Sequence, residues 1–374
     1  MMKMEDNSMR KILVINLGST STKVAFYENE ECLATENINH PASELKDFKD
    51  FWEQDDYRTE LIEDFLVKHK INPQSLDAIV SRGGHTQALE SGVYRIDELM
   101  LEQQASGQWG KHPCDLGSKI AYRMAQKIQA IPLIVDPPIS DEFSDLARVS
   151  GHPLFERRSS FHALSHKATA KRFARENDLN YDDLNLIVVH LGGGISVAPH
   201  QKGRMIDGDN SLDGDGAFST NRAGALPVGE VIRMCYSGEY TYEEAVKMIN
   251  GNGGMMAYME TADIRDVEQA AQVDEKARLY LDAMIYQVSK QIGAMATVLN
   301  GKVDAILITG GIAHSKTIIQ DIINRVQFIA PIMVYPGENE MESLARGALE
   351  GLLGETQVVD FSAKVNDQTL ISTT

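Results

Sequence analysis

Two glycine-containing turns in the sequence have the residue types that bind phosphate groups. The first, Asn16-Leu-Gly-Ser-Thr-Ser-Thr-Lys23, combines hydroxyl side chains, open backbone amides and one cation. It lacks the GxxxxGK[ST] pattern, so it is not a Walker A loop. The second, His190-Leu-Gly-Gly-Gly194, has three consecutive glycines, which allow the backbone to approach a ligand closely. Both are candidate phosphate clamps, with a polar hairpin and a flexible bend as the alternatives.

A long loop and a pair of histidines could supply positive charge and hydrogen-bond donors to such a group. Residues 207–227 are rich in Gly and Asp, do not match a calcium loop, and hold one cation, Arg222. Because loops of this length in compact domains are usually functional, Arg222 is predicted to stabilise charge, with a surface salt bridge as the alternative. His162 and His166 lack the Glu of HExxH, which disfavours zinc. His162 is the candidate donor, and His166 is expected to be structural.

Carboxylates near predicted strand ends could hold magnesium. Asp136 follows the apolar run 131–135, and three glutamates precede a helical stretch at 343–353; these are Glu338, Glu340 and Glu342. Magnesium needs few protein carboxylates because it keeps water ligands and takes phosphate oxygens. The alternatives are a turn cap at Asp136 and ordinary helix-start chemistry for the glutamates.

The elements that must position these residues occur twice in the same order. Each half has a predicted hairpin around one glycine turn, followed by a β-rich segment that ends in Gly-Gly: DAIVSRGG at 77–84 and DAILITGG at 304–311. This repetition predicts an internal duplication. Amphipathic stretches at 165–176 and 274–299 alternate with the strands, so the fold class is α/β. Ligands of such sheets bind at glycine turns after strands, so the site is expected in a cleft between two similar halves.

Composition limits the class of protein. The chain has 374 residues, 43% of them hydrophobic, and a formal net charge of −18, which disfavours nucleic acid and anionic membranes as partners. Its three cysteines form no CxxC pair, and no apolar stretch approaches the roughly 18 residues of a membrane span, so a cytoplasmic location is expected. Residues 1–10 and 357–374 show no periodicity and are predicted to be loosely ordered tails.

Seven motifs, taken together, resemble those of the acetokinase family, within the superfamily of acetate and sugar kinases, Hsp70 and actin. In chain order they are INLGSTSTK, FHALSHKA, HLGGGISV, TNRAGALP, TADIRDVE, ITGGIAHS and ENEMESLARGAL. The short RGG and HPCDLG segments are most similar to the butyrate branch. The resemblance implies two duplicated ribonuclease-H-like (actin-like ATPase) domains facing a central cleft. An acyl-substrate-side domain would span 11–155 and be completed by a helix at about 342–355, and a nucleotide-binding domain would span 156–341.

The resemblance also implies an activity: reversible phosphoryl transfer between ATP and butyrate, giving ADP and butyryl phosphate, with Mg²⁺ or Mn²⁺ as cofactor. Isobutyrate, propionate and acetate are alternative substrates. A carboxylate nucleophile is already ionised at pH 7, so no general base is required. An Hsp70-like, ATP-dependent binding module is the alternative of another class, although no peptide-binding domain is expected after residue 355. The resemblance implies a homodimer or higher homo-oligomer.

Roles for individual residues follow from the resemblance. The phosphate-binding residues would be Asn16, Ser19, Ser21, Lys23, His190, Gly192, Gly193 and Gly194. The catalytic residues would be Arg82, Asp136, His162, Arg222 and Glu340, of which Asp136 and Glu340 would hold the metal. The adenosine would lie by Asp263, Ile264, Arg265, Gly310 and Gly311, and the acyl phosphate and acyl chain would lie by His112 and Phe161.

The sequence departs from the acetate-kinase pattern at two places, and one alignment has an alternative. Acetate kinases have an Arg and a His before the Gly-Gly that corresponds to Gly83-Gly84, whereas here Arg82 stands alone, with Ile79 three residues before it. Arg82 could therefore replace either residue. Asp213-Gly214 occupies the place of a proline, so the acyl pocket is predicted to differ from that of acetate kinases. Glu342 is an alternative to Glu340 beside the metal.

Overall fold

The computed structural model describes residues 9–210, 212–337 and 339–372, and these residues form two compact units. The first unit combines the chain up to Ser140 with the chain from Asn339 onward, and the second unit is the chain between them. The strands are β1 Lys11–Leu17, β2 Ser21–Glu28, β3 Glu31–Asn39, β4 Ala78–Ser81, β5 Val93–Arg95, β6 Ile131–Val135, β7 Asn185–Leu191, β8 Ile195–Gln201, β9 Arg204–Met205, β10 Ala305–Gly310, β11 Ile332–Pro336 and β12 Val358–Asp360.

Helices separate these strands along the chain. They are α1 Ala42–Leu45, α2 Asp55–Lys68, α3 Glu98–Ser106, α4 Pro113–Ile128, α5 Asp145–Arg148, α6 Ala163–Glu176, α7 Val228–Cys235, α8 Tyr242–Ile249, α9 Met255–Met259, α10 Ile264–Ala270, α11 Glu275–Val298, α12 Lys316–Val326, α13 Glu340–Leu352 and α14 Phe361–Ser372. None of the described helices has the length and apolar character needed to cross a bilayer.

The first unit is built on a seven-stranded sheet in the order β12-β5-β6-β4-β1-β2-β3. Strand β1 is antiparallel to β2 and parallel to β4, which is parallel to β6. Helices α4 and α13 both pack against β1, β4 and β6. Because these helices cover the central strands, β1 is an almost continuous apolar run, and Ile12, Leu13, Val14 and Ile15 have no exposed surface.

The second unit is built on a five-stranded sheet in the order β11-β10-β7-β8-β9. Strand β7 is antiparallel to β8 and parallel to β10, which is parallel to β11. Helix α6 packs against β7 and β10, and the long helix α11 packs against β7 and β8. The apolar side chains of α11 and α12 form the main core of this unit with those of the sheet.

The two sheets share one topology. The order β6-β4-β1-β2-β3 in the first unit corresponds strand by strand to β11-β10-β7-β8-β9 in the second, with the same parallel and antiparallel neighbours. The matched segments 77–84 and 304–311 contain the corresponding strands β4 and β10. The predicted internal duplication is therefore confirmed.

The division between the units differs from the predicted boundary at residue 155. Residues 141–155 belong to the second unit because a buried ion pair joins Glu142 to Lys167 of α6 at 2.8 Å. In the same segment, the backbone N–H of Ser144 donates to the carbonyl of Ile206 at 2.9 Å. The predicted helix at 342–355 corresponds to α13, which lies in the first unit.

The prediction of a loosely ordered tail at 357–374 is wrong for its described residues. Strand β12 pairs in parallel with β5, and α14 follows directly, with the Phe361 side chain fully buried in the core of the first unit. The backbone N–H of Ser362 also donates to Asp97 Oδ2 at 2.8 Å. A three-residue strand is too short to show a two-residue period, so no strand was recognisable there from the sequence. Residues 1–8, 373 and 374 lie outside the described residues, as does Glu338.

Candidate active site

The first predicted phosphate clamp is the turn of the β1–β2 hairpin. Asn16 and Lys23 are directly opposite each other across the hairpin, so their side chains share one face of the sheet. The backbone N–H of Gly18 donates to the carbonyl of Ser21 at 2.9 Å, which closes the turn and leaves Ser19 exposed. The four predicted residues of this clamp therefore lie on one tight turn.

A buried arginine supports this turn from α2. The Arg58 side chain has no exposed surface, and its Nη1 donates to the carbonyl of Ser21 at 3.0 Å and to Thr22 Oγ1 at 3.2 Å. Its Nη2 reaches the carbonyl of Ser19 at 3.4 Å, and its Nε donates to Gln54 Oε1 at 2.8 Å. Burial lowers the pKa of this guanidinium to about 10, so it stays charged at neutral pH. The sequence analysis missed Arg58 because an arginine in a polar helical stretch normally faces solvent.

Glu340 joins two other predicted residues of the first unit. Its Oε2 accepts a hydrogen bond from Asn16 Nδ2 at 2.8 Å, and its Oε1 lies 3.5 Å from Arg82 Nη2. The negative charge of Glu342 acts instead on Tyr27 of β2, whose pKa is raised mainly by burial. Asn16, Arg82 and Glu340 are thus brought together, whereas the charge of Glu342 lies near Tyr27.

Asp136 stands at the end of β6 in an unusual backbone conformation. Its φ is +41°, a region that residues other than Gly rarely occupy, and its backbone N–H donates to the carbonyl of Gly92 at 2.9 Å. The side chain is buried. Helix α13 approaches this strand end closely because Gly347 has no side chain: a Cβ there would lie 3.1 Å from Val135 Cγ2. Close packing of α13 thus positions both predicted metal residues, Asp136 and Glu340, within one unit.

His112 begins α4 in a capping box with Asp115. Its Nδ1 accepts a hydrogen bond from the backbone N–H of Cys114 at 3.2 Å, and its own backbone N–H donates to Asp115 Oδ2 at 2.9 Å. Burial, with the nearby charges of Arg82 and His85, lowers the pKa of His112, so the ring is neutral at pH 7 with its proton on Nε2. Cys114 is buried, and burial raises its pKa to about 12.

The second predicted phosphate clamp is the turn of the β7–β8 hairpin. His190 is opposite Ser196 across the hairpin, and the backbone N–H of Gly192 donates to the carbonyl of Gly194 at 3.1 Å. The ring of His190 stacks on that of His162, with 3.9 Å between the ring centroids. Helix α6, which His162 precedes, also brings Ser165 Oγ to 2.9 Å from His190 Nδ1.

Arg222 reaches the same turn. A Cβ placed on Gly194 would lie 2.6 Å from Arg222 Cζ and 3.1 Å from His162 Cε1, so a guanidinium and an imidazole converge on this glycine. The loop after β9 is held there by Ser219, whose Oγ donates to the carbonyl of Gly193 and accepts from the backbone N–H of Arg222. The second unit therefore gathers a cation, two histidines and an open turn in one place.

The predicted adenosine-side residues fall into two groups. Asp263 caps the N-terminus of α10, and its carboxylate binds the exposed Arg265, which lowers the pKa of Asp263 to about 2; Ile264 is the first residue of the helix. Gly310 and Gly311 follow β10, where a Cβ on Gly310 would lie 2.7 Å from the backbone of Leu191. Gly310 is thus adjacent to the second phosphate clamp.

Phe161, the predicted acyl-pocket residue, is mostly enclosed within the second unit. It stacks on Phe143 with 6.3 Å between ring centroids and meets the edge of His166 at 5.0 Å. It is 7% exposed. Asp213 closes a local turn through Asn210 Nδ2 at 2.9 Å, and Gly214 has a φ of +87°, a conformation that proline cannot adopt.

A buried carboxyl lies under the loop that carries Arg222. Asp209 has no exposed surface; it accepts a hydrogen bond from the backbone N–H of Val197 at 3.3 Å and another from Gln291 of α11. Burial, and the neighbouring charge of Asp215, raise the pKa of Asp209 to about 8. This residue was not singled out from the sequence, since an Asp in a Gly-rich loop is normally solvated.

Comparison with known proteins identifies the class to which this fold and these turns belong. The fold matches that of an acetate kinase from Porphyromonas gingivalis, with a TM-score of 0.74 at 17% identity over 91% of this chain and 99% of that one. A propionate kinase from Francisella tularensis matches with a TM-score of 0.70 at 21% identity, over 91% of this chain and 99% of that one. The predicted fold class is therefore confirmed.

The family is defined by sequence. The model of the acetokinase family matches residues 150–350. The chain is 46% identical to butyrate kinase 2 of Clostridium acetobutylicum over 93% of this chain and 98% of that protein. It is 49% identical to a probable butyrate kinase of Bacteroides thetaiotaomicron over 93% of this chain and 99% of that protein. This chain belongs to the acetokinase family.

Proposed function

We propose that this chain is a carboxylate kinase that transfers a phosphoryl group reversibly between ATP and a short-chain carboxylate, with butyrate as the acyl substrate. The observation that carries the proposal is the convergence of Arg222 and His162 on the open turn at Gly194. Such a group of donors suits a transferring phosphoryl group, whose oxygens carry the developing charge. The curated relatives named as butyrate kinases support the choice of substrate.

In the proposed reaction a carboxylate oxygen attacks the γ-phosphorus of ATP. The new O–P bond forms as the bond between that phosphorus and the β–γ bridging oxygen breaks, which gives an acyl phosphate and ADP. No proton is transferred, because the carboxylate is already ionised at pH 7. Arg222, His162 and Arg82 would donate to the phosphoryl oxygens. The backbone and side chains of the two clamps would hold the remaining phosphates of the nucleotide: Asn16, Ser19, Ser21, Lys23, His190, Gly192, Gly193 and Gly194.

The first unit has residues of the right chemistry for a magnesium ion. Asp136 and Glu340 offer the hard oxygen donors that Mg²⁺ and Mn²⁺ prefer, and both are held by the packing of α13. When bound, the ion would neutralise charge on the nucleotide phosphates. We favour Glu340 over Glu342 because Glu340 contacts Asn16 and Arg82. In this proposal, Asn16 and Arg82 orient the Glu340 carboxylate.

Two further sets of residues would bind the ends of the substrates. Asp263, Ile264 and Arg265 at the start of α10, with Gly310 and Gly311, would face the adenosine. His112 would donate through Nε2 to the acyl phosphate, and Phe161 would contact the acyl chain. Isobutyrate, propionate and acetate remain the alternative substrates, and the acetate and propionate kinase folds give no preference among them.

An acyl-hydroxamate assay with ATP and Mg²⁺ tests this proposal across acetate, propionate, butyrate, isobutyrate and valerate. We expect the highest kcat/KM with butyrate. The Arg222→Ala variant should lose about 10³-fold or more in turnover, since an arginine at a transferring phosphoryl group contributes that much. Arg278→Ala is the matched control, because Arg278 is an exposed arginine of the same unit paired with Asp282. Wild-type protein without activity on any of the acids would contradict the proposal.

We also propose that the chain associates with a second copy of itself through α7. Val228 and Ile232 on this helix are 70% and 53% exposed. Val228 and Ile232 lie one turn apart on the same face of the helix, so a second copy of α7 packed against this face would cover both side chains. Light scattering after size exclusion should give a dimer or larger assembly that Ile232→Glu dissociates. Val67→Glu, at an exposed position of the first unit, is the control, and a monomeric wild-type chain would contradict the proposal.

A further inference from the structure

A buried serine lies between two histidines behind the Gly194 turn. Ser196 Oγ is 2.9 Å from His162 Nδ1 and 2.9 Å from His166 Nε2. Neither Ser196 nor His166 has any exposed surface. Because a hydroxyl group has one proton, it can donate to only one of these two ring nitrogens.

The position of the proton on His166 follows from its surroundings. Burial, and the neighbouring His190, hold the pKa of His166 well below its usual range, so the ring is neutral and has a single N–H. Among the residues that the structure describes, Nδ1 of His166 is buried and has no hydrogen-bond partner. A buried N–H without an acceptor is rarer in proteins than a buried acceptor without a donor. The proton of His166 therefore belongs on Nε2, which donates to Ser196 Oγ.

This arrangement determines where the serine proton goes. Ser196 Oγ accepts from His166, and within the described part of the chain the side-chain partners of this hydroxyl are the two histidines. Its own proton is therefore directed to His162 Nδ1. A His162 ring that accepts at Nδ1 must have its single proton on Nε2 when it is neutral.

We propose that Ser196 and His166 are positioning residues that hold His162 as the Nε2–H tautomer, so that it presents an N–H donor to the transferring phosphoryl group. The inference rests on the proposed function, in which His162 contacts that group. Stacking on His190 fixes the plane of the ring, and the serine fixes its protonation pattern. A donor prepared in this way needs no rearrangement as charge develops on the phosphoryl oxygens.

Nitrogen NMR of the wild-type protein tests the tautomers directly. Protein with ¹⁵N-labelled histidine would be recorded in long-range ¹H–¹⁵N spectra, which distinguish protonated from unprotonated ring nitrogens. The signals of His162 and His166 would be assigned by their loss in His162→Gln and His166→Gln. We expect both rings to be protonated at Nε2 and unprotonated at Nδ1 at pH 8. A proton on Nδ1 of His162 would overturn the proposal.

Kinetics of two matched variants test the consequence. Ser196→Ala should lower kcat about 10- to 100-fold, with KM for ATP and for the carboxylate changed less than about twofold. The reason is that the positioned His162 donor stabilises the transition state and contributes little to substrate binding. Tyr181→Phe is the control: it also removes a buried hydroxyl bonded to a histidine, at 2.7 Å from His200 Nδ1, without touching Ser196. It should keep the wild-type kcat.

The outcomes separate the two proposals. Wild-type kcat in Ser196→Ala, or equal losses in both variants, would refute a positioning role for Ser196. Wild-type protein that forms no acyl phosphate with any acid would refute the proposed function instead, and with it the premise of this inference. The NMR experiment reads the tautomers independently of turnover, so it decides the proton positions even if Ser196→Ala fails to fold.

Discussion

Replacing Arg58 by methionine tests whether a buried cation supports the first phosphate clamp. The substitution keeps an unbranched side chain in α2 but removes donors at 2.8, 3.0 and 3.2 Å from Gln54, Ser21 and Thr22. Hydrogen bonds from a charged group contribute roughly 1.5–3 kcal/mol each, so the gross loss is about 4–9 kcal/mol. Two consequences follow, one for stability and one for nucleotide binding.

The gross loss is offset by relief of the desolvated charge. Burial lowers the pKa of Arg58 to about 10, against an ordinary value of 12.5, and at about 1.4 kcal/mol per pKa unit the relief is about 3 kcal/mol. We therefore expect Arg58→Met to lower the free energy of unfolding by about 3 kcal/mol. Because the lost contacts hold the carbonyls of Ser19 and Ser21, KM for ATP should rise several-fold.

Urea denaturation and steady-state kinetics would measure both effects. The matched control is Arg123→Met. Arg123, like Arg58, bonds to a second element: it lies on α4 and binds Asp55 and Thr59 of α2. It is half-exposed and does not touch the turn. It should cost less than about 1 kcal/mol and leave KM for ATP unchanged. If Arg58→Met is destabilising but KM for ATP stays at the wild-type value, the conclusion that Arg58 supports the first phosphate clamp is wrong.

Three further predictions concern single positions. Gly194→Ala should lower kcat about 10-fold or more, because its Cβ would displace Arg222; Gly193→Ala, whose Cβ would lie 3.8 Å from the nearest atom, should lose less, and equal losses would argue against the Arg222 contact. Glu340→Gln should raise the Mg²⁺ concentration needed for half-maximal activity, whereas Glu342→Gln should not; the reverse pattern would exchange their roles. Asp209 has a folded pKa of about 8, above its ordinary 3.8, so its contribution to stability is complete below about pH 4 and is lost as pH rises through 8, by up to about 6 kcal/mol. Urea midpoints from pH 5 to 9 should therefore fall in wild type relative to Asp209→Asn, and a difference independent of pH would refute this.

The features that could be predicted from sequence are those formed by residues close together in the chain. Strands β1, β4, β7 and β10 are apolar runs that end near glycines, and their repetition predicted the duplicated topology that the sheets show. The two phosphate clamps are hairpin turns, whose small and polar residues are visible in the sequence. Local geometry is sufficient in both cases because each feature is built from residues close together in the chain.

The features that were missed depend on contacts between distant segments. Arg58 and Asp209 look like solvated residues until tertiary packing buries them. Ser196 is an ordinary strand residue until α6 brings two histidines to it. Strand β12 is defined by its pairing with β5, more than 200 residues earlier in the chain. The boundary between the two units near residue 140 depends on the buried ion pair between Glu142 and Lys167. Such contacts leave no periodic trace in the sequence.

The discontinuous first unit has a consequence for synthesis on the ribosome. Its sheet needs β12, and its central strands need α13, yet both are translated only after the whole second unit. The second unit can therefore complete its core while β1, β4 and β6 still lack α13, one of the two helices that cover them. Until Phe361 is translated and buried, the nascent first unit has an uncovered apolar surface and an unpaired β5 edge, which are binding sites for chaperones.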